Sequence, residues 1–170
     1  SPDLYKDLKV GKSLVEKNTK EIIETIYKKA KKNNCKILIP EDCLVGLNFE
    51  GEGKNKNLDD IQDEEIILDI GKNSIKKICE MIDQSNTVLW NGPAGYFEND
   101  NYAKGTLSIA KNISKNTIEK SLISVIGGGD TLAAINKTKS KLSFSHLSTA
   151  GGAFLEFLEG KDLPGISVLK

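Results

Sequence analysis

The chain has 170 residues, with 24 basic residues, 24 acidic residues, one histidine and a formal net charge of zero. Dispersed, balanced charge excludes a nucleic-acid binder, which needs a concentrated basic surface. No apolar run approaches the roughly 20 residues that cross a bilayer, so no membrane partner is expected. Every basic residue is lysine, so no guanidinium fork holds whatever anion the chain binds.

This length suits one domain with a real core. Cys35, Cys43 and Cys79 are odd in number and lack C-x-x-C pairing. They read as three buried thiols in a reducing compartment. The N-terminus has no signal-like apolar stretch, and a cytoplasmic location is expected. His146 stands alone and reads as structural.

In chain order, Ser13-Leu14-Val15-Glu16 reads as a capping box. Behind it Ile22, Ile23, Ile26, Tyr27 and Ala30 mark one helical face, which Asn33-Asn34 ends. Lys36-Ile37-Leu38-Ile39-Pro40 has the length and composition of a strand. Residues 46–63 are polar and glycine-bearing and read as an exposed loop or hairpin. Ile66-Ile67-Leu68 gives a second strand, and Ile75, Ile78, Cys79 and Ile82 space out a helix.

Thr87-Val88-Leu89-Trp90 is a third strand, and Ala103, Thr106, Leu107, Ala110 and Ile113 mark the helix after it. Leu122 to Ile126 is a fourth strand, with Asp130 placed to cap a following helix. Phe144 to Leu147 supplies a fifth strand. Phe154, Leu155 and Leu158 then carry a helix ended by Gly160. This alternation predicts an α/β fold: a three-layer, Rossmann-like parallel sheet with helices on both faces. Ligands of such sheets sit beyond the carboxyl ends of the strands.

Three strand ends are glycine-rich: Asn91-Gly92-Pro93-Ala94-Gly95, Gly127-Gly128-Gly129-Asp130-Thr131, and Ser148-Thr149-Ala150-Gly151-Gly152-Ala153. A strand-glycine-helix turn aims free amides and the positive helix end at an anion, although tight packing of helix on strand wants glycine too. Three such turns together suggest a polyphosphate along one sheet edge. A Walker A loop is excluded, since ahead of Gly11-Lys12-Ser13 its first glycine would fall on Lys6. The dinucleotide fingerprint fails, since after Gly127 and Gly129 its third glycine would be Leu132. Asp130 has two readings that can coexist: an N-cap, and a carboxylate facing Mg²⁺ beside phosphate.

"VLWNGPAGYFE", Lys104-Gly105-Thr106, "VIGGGDT" and "SHLSTAGGAFLEFLEGKDLPG", in that order, closely resemble the carboxyl-terminal domain of the phosphoglycerate kinase family. The resemblance runs from about Val10 to the end, with "VGKSLVE" and "ILIPED" resembling earlier segments of that domain. It implies reversible phosphoryl transfer between 1,3-bisphosphoglycerate and ADP, giving 3-phosphoglycerate and ATP, with Mg²⁺ and ATP or ADP bound on this half.

Carried over residue by residue, it implies that Glu98 contacts the ribose. It places Asn91 and Pro93 along the nucleotide, with Gly127, Gly128, Gly129 and Thr131 in the phosphate loop. Asp130 is implied as the Mg²⁺ carboxylate. Gly129, Gly151 and Gly152 are implied as the catalytic amides that meet the moving phosphoryl group. Ala150 stands where the family has a glycine. The resemblance further implies that residues 1–170 are part of the nucleotide domain of a two-domain enzyme, monomeric when whole. Its other domain would hold the phosphoglycerate, so the fragment alone is expected to be inactive. The alternative of a different class is a non-catalytic, truncated nucleotide-binding module.

Overall fold

A computed structural model describes residues 11–13, 20–138 and 140–169. They fall into two units, Ser1–Ile78 and Cys79–Lys170, with the division inside a helix.

In the first unit, α1 (Lys20–Lys32) ends where Asn34 takes a positive φ of 52°. The N–H of Cys35 then returns to the carbonyl of Ala30 at 2.8 Å, and that of Asn34 to Lys31. This is the left-handed stop that asparagine tolerates better than most residues. Ile22 and Ile26 on the apolar face of α1 remain exposed, while Ile23, Tyr27 and Ala30 are half-buried. The capping box falls mostly outside the described residues. Ser13 is described, and its hydroxyl accepts the N–H of Ile67 at 2.9 Å.

Lys36–Pro40 does not form the strand its composition predicts. Among the described residues no neighbour supplies a ladder, and Pro40 has no N–H to offer one. The strand comes later, as β1 (Asp42–Gly46). β1 pairs antiparallel with β2 (Lys54–Asn57) and with β3 (Ile66–Ile70), in the order β2-β1-β3. Residues 47–53 are the hairpin connection between β1 and β2. The Ile66 strand therefore belongs to an antiparallel sheet, not to the parallel one the alternating pattern predicts. A short apolar run does not carry its own pairing sense; the neighbour decides it. Cys43, Val45 and Ile61 form this unit's buried cluster, with Leu58 and Ile67 packed on it.

The antiparallel sheet meets α2 (Lys72–Asp83) through one carboxylate. Asp42 is fully buried. Its side chain accepts the N–H of Asn73 at 3.0 Å, the N–H of Ser74 at 2.8 Å and the Ser74 hydroxyl at 2.6 Å. Asn55 donates to the same carboxylate at 3.1 Å, and its own carbonyl oxygen accepts the N–H of Lys72. The first three amides of α2, which no helix can satisfy internally, are thus capped by side chains from two strands. Gly71 permits the approach: a Cβ there would lie 2.1 Å from the Asp42 carboxyl carbon.

In the second unit, β4 (Thr87–Asn91), β5 (Ile123–Gly127) and β6 (His146–Ser148) form a parallel sheet in chain order, flanked by helices. On α3 (Lys104–Glu119) the buried positions Thr106, Ile109, Ala110 and Ile113 fall at helical spacing. α3 and α4 (Gly129–Asn136) pack on β5 and on each other. Hydroxyls tie β6 into register: Ser124 and Ser145 exchange backbone-to-hydroxyl bonds at 3.1 and 2.9 Å, and Thr117 of α3 donates to Ser124 at 2.9 Å. α5 (Gly151–Leu158) stops at Gly160, where the N–H of Lys161 returns to Glu156. α6 (Pro164–Ser167) opens on a proline.

The cysteines differ from the expectation of three buried thiols. All three are free, but Cys35 is exposed and Cys79 only half-buried, because Cys35 lies just past the end of α1. Cys43 is buried, and burial first, then the charge of Asp42, pushes its thiol up to about 11.

Burial alone would raise the Asp42 carboxyl, but the hydrogen bonds from Ser74, Asn73 and Asn55 outweigh it and hold the group below its ordinary 3.8. A carboxyl lowered on folding stabilises the fold above its unfolded value and ceases to do so as pH falls through the folded one. Asp42→Ala leaves the buried Ser74 amide without its acceptor and is expected to cost about 1–3 kcal/mol for that group, with a smaller loss from the more exposed Asn73 amide. Urea unfolding of wild type and variant across the acid range checks this. The difference in stability should be full near neutrality and shrink once pH falls below 3.8.

Candidate nucleotide site

The parallel register brings three strand ends level. Asn91 pairs with Gly127, and Gly127 with Ser148, so each glycine-rich turn leaves the sheet from the same row. The second and third turns run directly into α4 and α5. The N–H groups in the first turn of each helix have no acceptor within the helix, and the helix dipole places partial positive charge there.

The turns interlock through missing side chains. Gly128 has a φ of +93° and serves as N-cap of α4. A Cβ on Gly128 would lie 2.7 Å from Asn91 Oδ1, and one on Gly151 would lie 2.7 Å from the Gly128 Cα. Both distances are shorter than atoms tolerate, so the turns after β5 and β6 touch backbone to backbone. The N–H of Gly128 donates to the Ser148 carbonyl at 3.2 Å, which closes the junction.

Two threonines fasten the first turn. The Thr131 hydroxyl, fully buried, accepts the N–H of Gly92 at 2.8 Å. The Thr106 hydroxyl, also fully buried, accepts the N–H of Ala94 at 2.9 Å. Asn91-Gly92-Pro93-Ala94-Gly95 is thus hung between α4 and α3. Beyond it, Glu98 is exposed on the segment leading to α3, and the buried Tyr102 anchors the far end of that segment.

The residues singled out from sequence do come together, with several differences of role. Asn91, Gly127, Gly128 and Gly151 form the junction itself, and Pro93 lies half-buried in the first turn. Gly129 and Gly152 are exposed at the starts of α4 and α5, with nothing within 4 Å of where a Cβ would stand. Thr131 is buried and acts by tying two turns together. The N–H of Gly128 is committed to Ser148.

Asp130 is not the cap of α4, because Gly128 holds that place and the carboxylate comes two positions later. Its side chain is exposed and, among the described residues, has no hydrogen-bond or ion-pair partner. Ala150 has a φ of −89°, on the side ordinary for L-residues, so alanine there carries no left-handed strain. The tying role of the Thr106 hydroxyl is not legible in the sequence, and neither is Lys137. Neither lies in a glycine run, and the partners of Lys137 are 37–40 residues away.

A family model described as phosphoglycerate kinase matches residues 4–161, reaching further toward the N-terminus than Val10. Phosphoglycerate kinase of Rhodopseudomonas palustris is 46% identical over 165 residues, covering 96% of this chain and 42% of that protein. That of Chelativorans sp. is 43% identical over 163 residues, covering 95% and 41%. Among solved structures, phosphoglycerate kinase from Coxiella burnetii superposes with a TM-score of 0.84 at 38% identity, over 95% of this chain and 41% of that one. The enzyme from Pyrococcus horikoshii gives 0.71 at 28% identity, over 99% and 42%. The chain therefore spans about two fifths of the length of the relatives it matches.

The junction makes a sharp stability contrast. Gly151→Ala drives a methyl into the Gly128 backbone and is expected to cost about 1–3 kcal/mol, the usual penalty of overpacking a tight contact. Gly152→Ala, one residue on, meets open space and should change stability by less than about 1 kcal/mol. Urea denaturation of the two variants side by side is the check.

Proposed function

The chain belongs to the phosphoglycerate kinase family, and on that footing we propose that it supplies part of the nucleotide side of a glycolytic phosphoglycerate kinase. The reaction is reversible phosphoryl transfer between 1,3-bisphosphoglycerate and ADP, giving 3-phosphoglycerate and ATP. One observation carries the reading: the three turns that resemble the family leave the sheet from a single row, Asn91, Gly127 and Ser148, and two of them run into helices whose first amides have no acceptor within the helix.

Phosphoryl transfer of this kind needs no covalent enzyme intermediate. Positioning the two substrates and neutralising the spread charge of the moving group supply the catalysis. The amides at Gly129 and Asp130 suit the nucleotide phosphates, and those at Gly151 and Gly152 suit the transferred group. They are donors fixed by packing, so they need no reorganisation as charge develops. Gly127, Gly128 and Thr131 serve by shaping the loop, while Asn91 and Pro93 line the nucleotide and Glu98 contacts its ribose.

Mg²⁺ fits this donor set. It takes one or two carboxylates together with phosphate oxygens and keeps several waters, and Asp130 offers one exposed carboxylate at the opening of α4, unengaged among the described residues. When bound there, the cation supplies charge neutralisation between the phosphates. The phosphoglycerate substrate and its recognition belong to the remainder of a relative-length protein, monomeric as a whole. Three free thiols support a cytoplasmic setting.

Two measurements test this. Calorimetric titration of the chain with ADP should show tighter binding when Mg²⁺ is present. Asp130→Ala should weaken the Mg²⁺-dependent binding about tenfold and leave the metal-free isotherm unchanged, as loss of one charged contact predicts. Equal affinity of variant and wild type would remove Asp130 from the site. In a coupled assay the 170-residue chain by itself should show no turnover. Measurable ATP formation would refute the division of labour proposed here.

A further inference from the structure

Lys137 closes α4, and its ammonium group reaches back to the segment that carries Glu98. It donates to the Phe97 carbonyl at 3.0 Å, to the Glu98 carbonyl at 2.8 Å and to Asp100 Oδ1 at 3.1 Å. An ammonium has three protons, and here three acceptors meet them. Two of those acceptors are backbone carbonyls on either side of the Glu98 Cα, so the contact fixes the main chain from which that carboxylate projects. The cation also sits at the C-terminal end of α4, where the helix dipole favours positive charge. The opposite end of the same helix carries Gly129 and Asp130. One eight-residue helix therefore links the phosphate turn to the Glu98 segment.

We infer that Lys137 is a positioning residue: it clamps residues 97–100 to the end of α4 and so sets Glu98 at a fixed distance from the phosphate turn. The inference rests on the reading of Glu98 as the ribose contact. Without the clamp, the segment that carries Glu98 would lose the three bonds that hold it to the end of α4. The nucleotide would then have to order that segment on binding, and affinity would fall by the cost of doing so.

The test compares wild type with Lys137→Met, Lys137→Arg and Asp100→Ala, using the 170-residue chain and two probes, Mg-ADP and Mg-2′,3′-dideoxy-ADP. Amide hydrogen exchange across residues 97–100 is measured in parallel, without nucleotide. Lys137→Met should speed exchange across 97–100 and raise the Kd for ADP about 3- to 10-fold. It should leave the Kd for the dideoxy analogue unchanged, because that ligand lacks the hydroxyls Glu98 reads. Lys137→Arg, which keeps charge and donors, should restore most of both readouts. Asp100→Ala, removing one acceptor of three at an exposed residue, should shift both in the same direction by less.

Unchanged exchange in Lys137→Met overturns the clamp. Faster exchange with unchanged ADP affinity, or an equal loss for both probes, overturns the positioning role. A wild-type chain that does not distinguish ADP from the dideoxy analogue overturns the reading of Glu98 itself, and with it the role given to Lys137. The exchange data then still report separately whether the segment is clamped.

Discussion

The site depends on one close approach, in which the backbones after β5 and β6 touch at Gly128 and Gly151 with no side chain between them. The ladder has already placed Asn91, Gly127 and Ser148 in a row. The two glycines let the turns beyond that row close up until a methyl would not fit. If the turns were held apart by one methyl, the first turns of α4 and α5 would diverge. A polyphosphate could then meet one set of amides but not both. Helix dipoles fall off within a turn, so the proposed function needs the two helix starts side by side if both are to meet one anion.

Around that contact, buried hydroxyls do the fastening. Thr106 and Thr131 accept amides from the first turn, while Ser124, Ser145 and Thr117 hold β6 against β5 and α3. A hydroxyl can take an amide that has no ladder partner and remain small enough to be buried without a cavity. The antiparallel unit meets the same need with charge instead: Asp42 takes two helix amides and a hydroxyl at once. In both places an irregular or terminal backbone group is buried only because a side chain arrives from another element to satisfy it.

That dependence explains how much was legible beforehand. The α/β class, the three glycine turns, and the helix ends at Asn34 and Gly160 were readable, because each is written in consecutive residues. The antiparallel pairing of Ile66–Ile70 was not, since apolar runs of that length look alike whichever partner they meet. Nothing local marks out Asp42 within "ILIPED"; its partners Asn73 and Ser74 lie more than thirty residues on. Thr106 lay in a recognisable stretch, yet nothing local says that its hydroxyl faces Ala94. Asp130 has the look of a cap because acids often take that place. Gly128, with its positive φ, takes the cap two residues earlier, and the acid has no partner among the described residues.

Ala150 and Gly151 are neighbours in a run that looks uniform, yet the fold treats them differently. Position 150 has an ordinary φ of −89°, whereas position 151 faces the Gly128 backbone. The first accepts the alanine that this chain carries without left-handed strain. The second is closed to every residue with a side chain unless Gly128 moves with it. A glycine-rich signature thus mixes two kinds of position. Its divergent members are better judged by which glycine has changed than by how many remain.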